Sequence, residues 1–113
     1  MAYTDKAEFK IPRHFVNKGG INIETISANK TLTYKDSMYQ ILTNSKGSVA
    51  TVKVPVKKDG AMFWIKCQTG SGHELYIQDI DGNDIIGSPY LAAGKLCCLV
   101  CDGSSWGILF QQG

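Results

Sequence analysis

Short apolar–polar alternations, broken roughly every ten positions by a turn, limit what this 113-residue chain can fold into more than any other feature. Side chains on a strand point alternately to its two faces, whereas a helix needs an apolar group every three to four residues. Residues 21–26, 31–34, 38–43, 49–54, 62–69, 74–78, 95–101 and 106–110 read as strands. The stretches "TNSKGS", "KKDGA", "TGSGH", "DIDGND" and "CDGSS" combine Gly with Asn, Asp or Ser, which accept positive φ or bond their own backbone. The spacing predicts an all-β domain over residues 21–113, a compact antiparallel β-sandwich or jelly-roll-like barrel. In "VATVKVP", Ala50, Val52, Val54 and Val56 are expected to face the core, and Pro55, lacking an N–H, belongs at a strand end or edge. At most one helical turn is expected, over residues 90–93, before Gly94.

Residues 1–20 behave differently. Alternation is lost, Pro12 interrupts, and "NKGG" closes the stretch like a hinge. Tyr3, Phe9, Ile11, Phe15 and Val16 are too apolar for a purely solvated tail, and Lys6, Lys10, Arg13 and Lys18 outweigh Asp5 and Glu8. The segment reads as an extended N-terminal arm that lies on another surface.

The totals exclude several classes. A net charge of +2, with the basic residues spread along the chain, gives no basis for direct nucleic-acid binding. The longest apolar run, which begins at Leu96, falls far short of the about 20 residues of a membrane-spanning helix. The start "MAYTDKAEFK" has no hydrophobic run, so no secretory signal is expected and synthesis in the cytoplasm is the default.

"GKLCCLVC" poses the sharpest chemical question. Cys98 and Cys101 have a C-x-x-C spacing, but Leu99 and Val100 between them supply no polar or glycine knuckle for zinc. On a strand Cys97 and Cys98 face opposite ways, and Cys97 and Cys101 share a face about 13 Å apart, beyond a common ion or a disulfide. His14 and His73 stand in no ligand spacing with them. A disulfide to Cys67 stays geometrically open, against a reducing compartment. Free cysteine as a small buried hydrophobe is the reading adopted: Cys97, Leu99 and Cys101 line one face and Leu96, Cys98 and Val100 the other. Both faces being apolar, this strand should be covered on both sides, one of them by a neighbouring subunit.

"DIDGND" offers Asp79, Asp81, Asn83 and Asp84, but glycine falls fourth rather than sixth and Tyr90 stands where a calcium loop needs glutamate, so an Asp-Gly turn explains it better. No G-x-S-x-G occurs, "GSG" at Gly70–Gly72 precedes no helix, and Glu74 and Asp79 fall on opposite strand faces. No enzyme, metal or cofactor is expected. Tyr39, Trp64, Tyr76 and Tyr90 could stack on sugars if exposed.

From Ala28 to Phe110 the chain resembles a β-rich module of tailed-bacteriophage virion proteins. The resemblance lies in "TLTYKDSMYQILTNSKGSVATVKVP", "DGAMFWIKCQTGSGHELYIQDIDGNDIIG" and "LAAGKLCCLVCDGSSWGIL", with Leu32, Pro55, Gly60, Phe63, His73, Ile77, Gly82, Gly87, Gly94, Asp102, Gly103 and Trp106 at the matching places. The cysteines depart from the Val, Leu or Ala usual there. The resemblance is closest to head decoration (cement) proteins, with no stalk repeat or heptad present. It implies a structural protein of the virion surface that binds the major capsid protein and stabilises the shell, commonly as a homotrimer. In that reading Tyr3, Lys6, Phe9, Lys10, Ile11, Arg13 and Phe15 form the capsid-binding arm. A head-fibre, tail-fibre or receptor- or carbohydrate-binding module is the alternative.

Overall fold

The computed structural model describes residues 20–86 and 90–112. They form eight strands: β1 (Ile21–Ile26), β2 (Lys30–Thr31), β3 (Tyr39–Asn44), β4 (Ala50–Lys53), β5 (Met62–Cys67), β6 (Leu75–Gln78), β7 (Leu96–Cys101) and β8 (Trp106–Gln111). No helix occurs among the described residues, and Leu91 makes only an isolated bridge to Leu75. The described residues are all-β, as their alternation requires.

The strands do not pair as an antiparallel sandwich. They alternate between a five-stranded sheet, ordered β1-β3-β5-β7-β8, and a three-stranded sheet, ordered β2-β4-β6. Neighbours β1–β3, β3–β5, β2–β4 and β4–β6 are parallel; only β5–β7 and β7–β8 are antiparallel. Through β6 the chain is therefore a coil, each turn laying one strand on each sheet. The hairpin β7–β8 then ends it.

The antiparallel expectation failed because the glycine-bearing stretches act as corners that pass the chain between sheets. Asn44, buried at the end of β3, shows how a corner is held. Its Oδ1 accepts from the Lys46 amide at 2.9 Å, and its Nδ2 donates to the carbonyls of Ser48 (3.0 Å), His73 (3.3 Å) and Glu74 (3.0 Å). His73 and Glu74 belong to the same corner one turn later, so one side chain joins two turns of the coil.

The core lies between the sheets. Leu42, Phe63, Ile65, Cys67, Cys97, Leu99 and Cys101 face Leu32, Ala50, Val52, Val54, Leu75 and Ile77. Phe63 packs on Trp106 with ring centroids 6.0 Å apart, and the Trp106 indole donates to the Pro55 carbonyl at 3.0 Å. Pro55 sits just past β4, where its missing N–H costs no ladder bond. Ala50, Val52 and Val54 are buried as expected, but Val56 is 61% exposed, because the strand ends at Lys53 and the alternation ends with it.

In β1 the alternation runs opposite to the usual arrangement. Ile21 and Ile23 are 56% and 73% exposed, while Asn22 and Glu24 share the inward side of the strand with buried Ile26. Asn22 Nδ2 donates to Gln40 Oε1 at 2.8 Å and Glu24 Oε1 at 3.0 Å, and Glu24 pairs with Lys30 of β2 at 2.9 Å. These groups form a polar plug in the first turn. A coil of stacked turns needs such an end, since its last layer has no apolar neighbour.

Candidate functional site

The two sheets turn different faces outward. On the five-stranded sheet the outward positions are Ile21, Ile23 and Thr25 of β1, Tyr39, Ile41 and Thr43 of β3, Met62, Trp64 and Lys66 of β5, and Leu96, Cys98 and Val100 of β7. Phe110 of β8 follows, in register with Cys98. The register aligns Ile21 with Tyr39, Tyr39 with Trp64, and Trp64 with Cys98, so a row of apolar groups crosses the sheet at right angles to its strands. Lys66 is the sole charged side chain among these positions. A groove of about 240 Å³ follows the row, lined by Ile21, Tyr39, Ile41, Trp64, Lys66 and Leu96 together with the backbone-level residues Gln40 and Ile65.

The apolar surface continues onto the edge strand β8. A register shift opposite Cys98 and Leu99 makes Leu109 the extra residue of a bulge, 61% exposed, between half-exposed Ile108 and Phe110. A bulge twists an edge away from further pairing while leaving its side chains available.

The outward face of the three-stranded sheet carries Thr31, Thr51, Lys53, Tyr76 and Gln78. Here Tyr76 and Tyr90 stack with centroids 5.6 Å apart and planes at 20°. The four aromatic residues considered for sugar stacking are thus split between two opposite surfaces.

The cysteines occupy β7 as packing groups. Cys97 and Cys101 belong to the intersheet core, whereas Cys98 faces outward and is buried between Trp64 and Phe110. Cys67, Cys97, Cys98 and Cys101 are all free thiols. Burial, reinforced by the neighbouring Cys98, pushes the Cys97 thiol up to about 12 against a small opposing bond from the Ile65 amide. Burial raises Cys67 and Cys98 as well. Such thiols are poor nucleophiles, because the thiolate is the reactive species.

The turn carboxylates serve the backbone. Asp79 Oδ1 accepts from the amides of Asp81 and Asn83, each at 2.9 Å, and Gly82 adopts φ +91° in the same turn. Slight burial opposes ionisation of Asp79, but the bonds from Asn83 and Asp81 and the charge of Lys57 outweigh it and hold the carboxyl below its usual range. Asp102 Oδ1 accepts from the amides of Ser104 and Ser105, at 2.8 and 2.9 Å, and is held low mainly by those bonds. Among the described residues, no group of three or more His, Cys, Asp or Glu side chains converges as a metal site would require, and no described helix is long and apolar enough to cross a membrane.

Tyr3, Lys6, Phe9, Lys10, Ile11, Arg13 and Phe15, the residues of the expected arm, lie outside the described residues, as does His14. Sequence reasoning placed Leu96 on an apolar outer face with Cys98 and Val100 but did not single out Ile21, Ile23 and Ile41. The signal available was β3, where Tyr39 and Ile41 alternate with Gln40 and Leu42, leaving large groups on both faces. Comparison with known proteins finds no matching family model, curated relative or solved structure.

Proposed function

We propose that this chain is a structural binding module of a virion: a decoration protein that attaches to the outer surface of a phage head and stabilises the shell. The observation that carries the reading is the outward face of the five-stranded sheet, apolar across four strands and bearing a single charge. An apolar face with one charge suits protein contact and offers nothing to a chemical step. The residue resemblance supplies the partner, the major capsid protein, and the arm supplies the reach. In this reading Tyr3, Phe9 and Ile11 fill capsid pockets while Lys6, Lys10 and Arg13 meet acidic surface, the extended backbone adding its own hydrogen bonds. A homotrimer would use the apolar edge at Ile108, Leu109 and Phe110, where three copies shield from water what one copy leaves bare. Binding only the assembled shell shifts its equilibrium toward assembly.

The test is saturable co-sedimentation with expanded capsids, comparing the full chain with one lacking Met1 to Lys18. The reading expects the full chain to saturate and the shortened one to bind far more weakly with a similar melting temperature. Undiminished binding by the shortened chain would remove the arm from the account, and no binding by either would remove the capsid.

The stacked pair Tyr76 and Tyr90, on a polar surface with Thr51 and Gln78, favours a second reading as a receptor- or carbohydrate-binding module. Quenching or protection of tyrosine fluorescence across a glycan panel would support it.

A further inference from the structure

The groove on the five-stranded sheet has one cation in its wall, and the turn that follows β6 carries groups that match it. We propose that the groove takes this turn from a second copy of the chain. Ile80 of one copy seats against Trp64 of the next, and Asp81 meets Lys66.

Three observations carry this. The first is the charge in the groove. The register puts Tyr39, Trp64 and Cys98 in one row and Ile41, Lys66 and Leu96 in the next, about 7 Å away along the strands. Residues of both rows line the groove. Lys66 is half-buried among them and forms no ion pair with a described carboxylate, whereas Lys30 has Glu24 at 2.9 Å. An ammonium held against apolar walls without a counter-charge favours an acidic partner.

The second is size. A groove of about 240 Å³ is below the roughly 300–1,000 Å³ of pockets that enclose drug-sized ligands. One or two large apolar side chains match it, provided that a carboxylate accompanies them.

The third is that this chain supplies such a pairing. Of the large apolar residues exposed among the described residues, Ile80 alone stands between two acidic neighbours, Asp79 and Asp81. The exposed apolar groups of β8 have no adjoining carboxylate, and Val56 is followed by Lys57 and Lys58. Asp79 is occupied within the turn, its Oδ1 accepting from the Asp81 and Asn83 amides, so the turn is a fixed frame. Asp81 is exposed, and its carboxylate makes no hydrogen bond or ion pair with a described residue. The turn therefore offers an apolar side chain with a free acid beside it.

Turn and groove are different surfaces of one copy, so the contact is heterologous and closes into a ring where its rotation allows. It goes beyond the capsid reading and stands without it, because it concerns the free protein. Sedimentation velocity on the full chain over a concentration series tests it, with each variant shown to be folded by its melting transition. The native chain should associate reversibly as concentration rises. Lys66→Glu and Asp81→Lys should each weaken association by about tenfold or more, since each sets like charges together. Ile80→Ser, which leaves every charge in place, should weaken it as well. A chain carrying both Lys66→Glu and Asp81→Lys should recover to within about threefold of the native chain, because the pair is restored with its signs exchanged. A native chain that stays monomeric to millimolar concentration would overturn the proposal, as would single variants that associate like the native chain. Failure of the double variant to recover would assign the loss to something other than this pair and overturn it too.

Discussion

The outward faces of the two sheets carry opposite kinds of side chain. One presents Ile21, Ile23, Tyr39, Ile41, Trp64 and Leu96; the other presents Thr31, Thr51, Lys53 and Gln78, with Tyr76 as its large aromatic strand residue. Both sheets use the same strand period and the same coil, and both bury one face in the shared core. The contrast therefore does not come from folding. A coil needs one apolar face per sheet, and the five-stranded sheet has two, which points to a contact outside the intersheet core. Strand β7 shows the demand most plainly, since Cys97, Cys98 and Leu99 are buried in succession.

Substitutions on the two sides of each sheet sharpen the contrast. The largest effect is expected inside: Phe63→Ala removes a fully buried ring packed on Tyr34 and Trp106 and should cost about 3–5 kcal/mol in chemical denaturation. A result below about 1 kcal/mol would mean that the intersheet core is not where stability resides.

Asn44→Ala should follow, at roughly 2–3 kcal/mol, because it removes a buried side chain that donates to three corner carbonyls, of which that of Glu74 keeps only the Ala50 amide at 3.3 Å. If the coil were not the fold, His73 and Glu74 would not neighbour Asn44, and the loss would shrink to that of an ordinary turn residue.

Cys98→Ala should cost roughly 1 kcal/mol through lost burial between Trp64 and Phe110. All four thiols should react with a disulfide reagent after denaturation, and Cys97 should be silent before it. Rapid native labelling of Cys97 would contradict its place in the core.

Stability should form a plateau in pH with two sloping ends. The carboxyls of Asp79 and Asp102 are held low in the fold, so their contribution is present above the usual carboxylate range near 4 and lost as pH falls through their lowered values. The Cys97 thiol is raised, so its contribution is complete below about 9 and lost as pH rises toward about 12. Urea midpoints across the pH range would show both arms, and Asp102→Asn should flatten part of the acid one. Thr51→Ser, on the polar face, should change stability by no more than about 0.5 kcal/mol.

Much of this was legible in the residues. Seven of the eight strands are visible in the alternation because period 2 does not depend on what a strand pairs with, whereas the strand expected over 31–34 is only the two-residue β2 at Lys30–Thr31. The split of Cys97 and Cys98 to opposite faces follows from the same rule. Strand order was not legible: "TNSKGS" and "TGSGH" suit a hairpin as well as a corner, and what decides is Asn44 reaching His73 and Glu74, a contact about 30 residues away in sequence. The apolar groove was hidden for a related reason. In β1, Asn22 and Glu24 take the inward side because Gln40 and Lys30 wait there to bond them, which turns Ile21 and Ile23 outward. No local pattern announces those partners.

The contrast between the faces is tested most directly by placing charge on each in turn and measuring attachment to expanded capsids. A chain carrying Ile41→Glu and Trp64→Glu should lose most of its saturable co-sedimentation, because the face proposed for protein contact then carries charge. A chain carrying Thr51→Glu and Gln78→Glu should bind as the native chain does. Equal binding by both variants, each shown to be folded by its melting transition, would contradict the account.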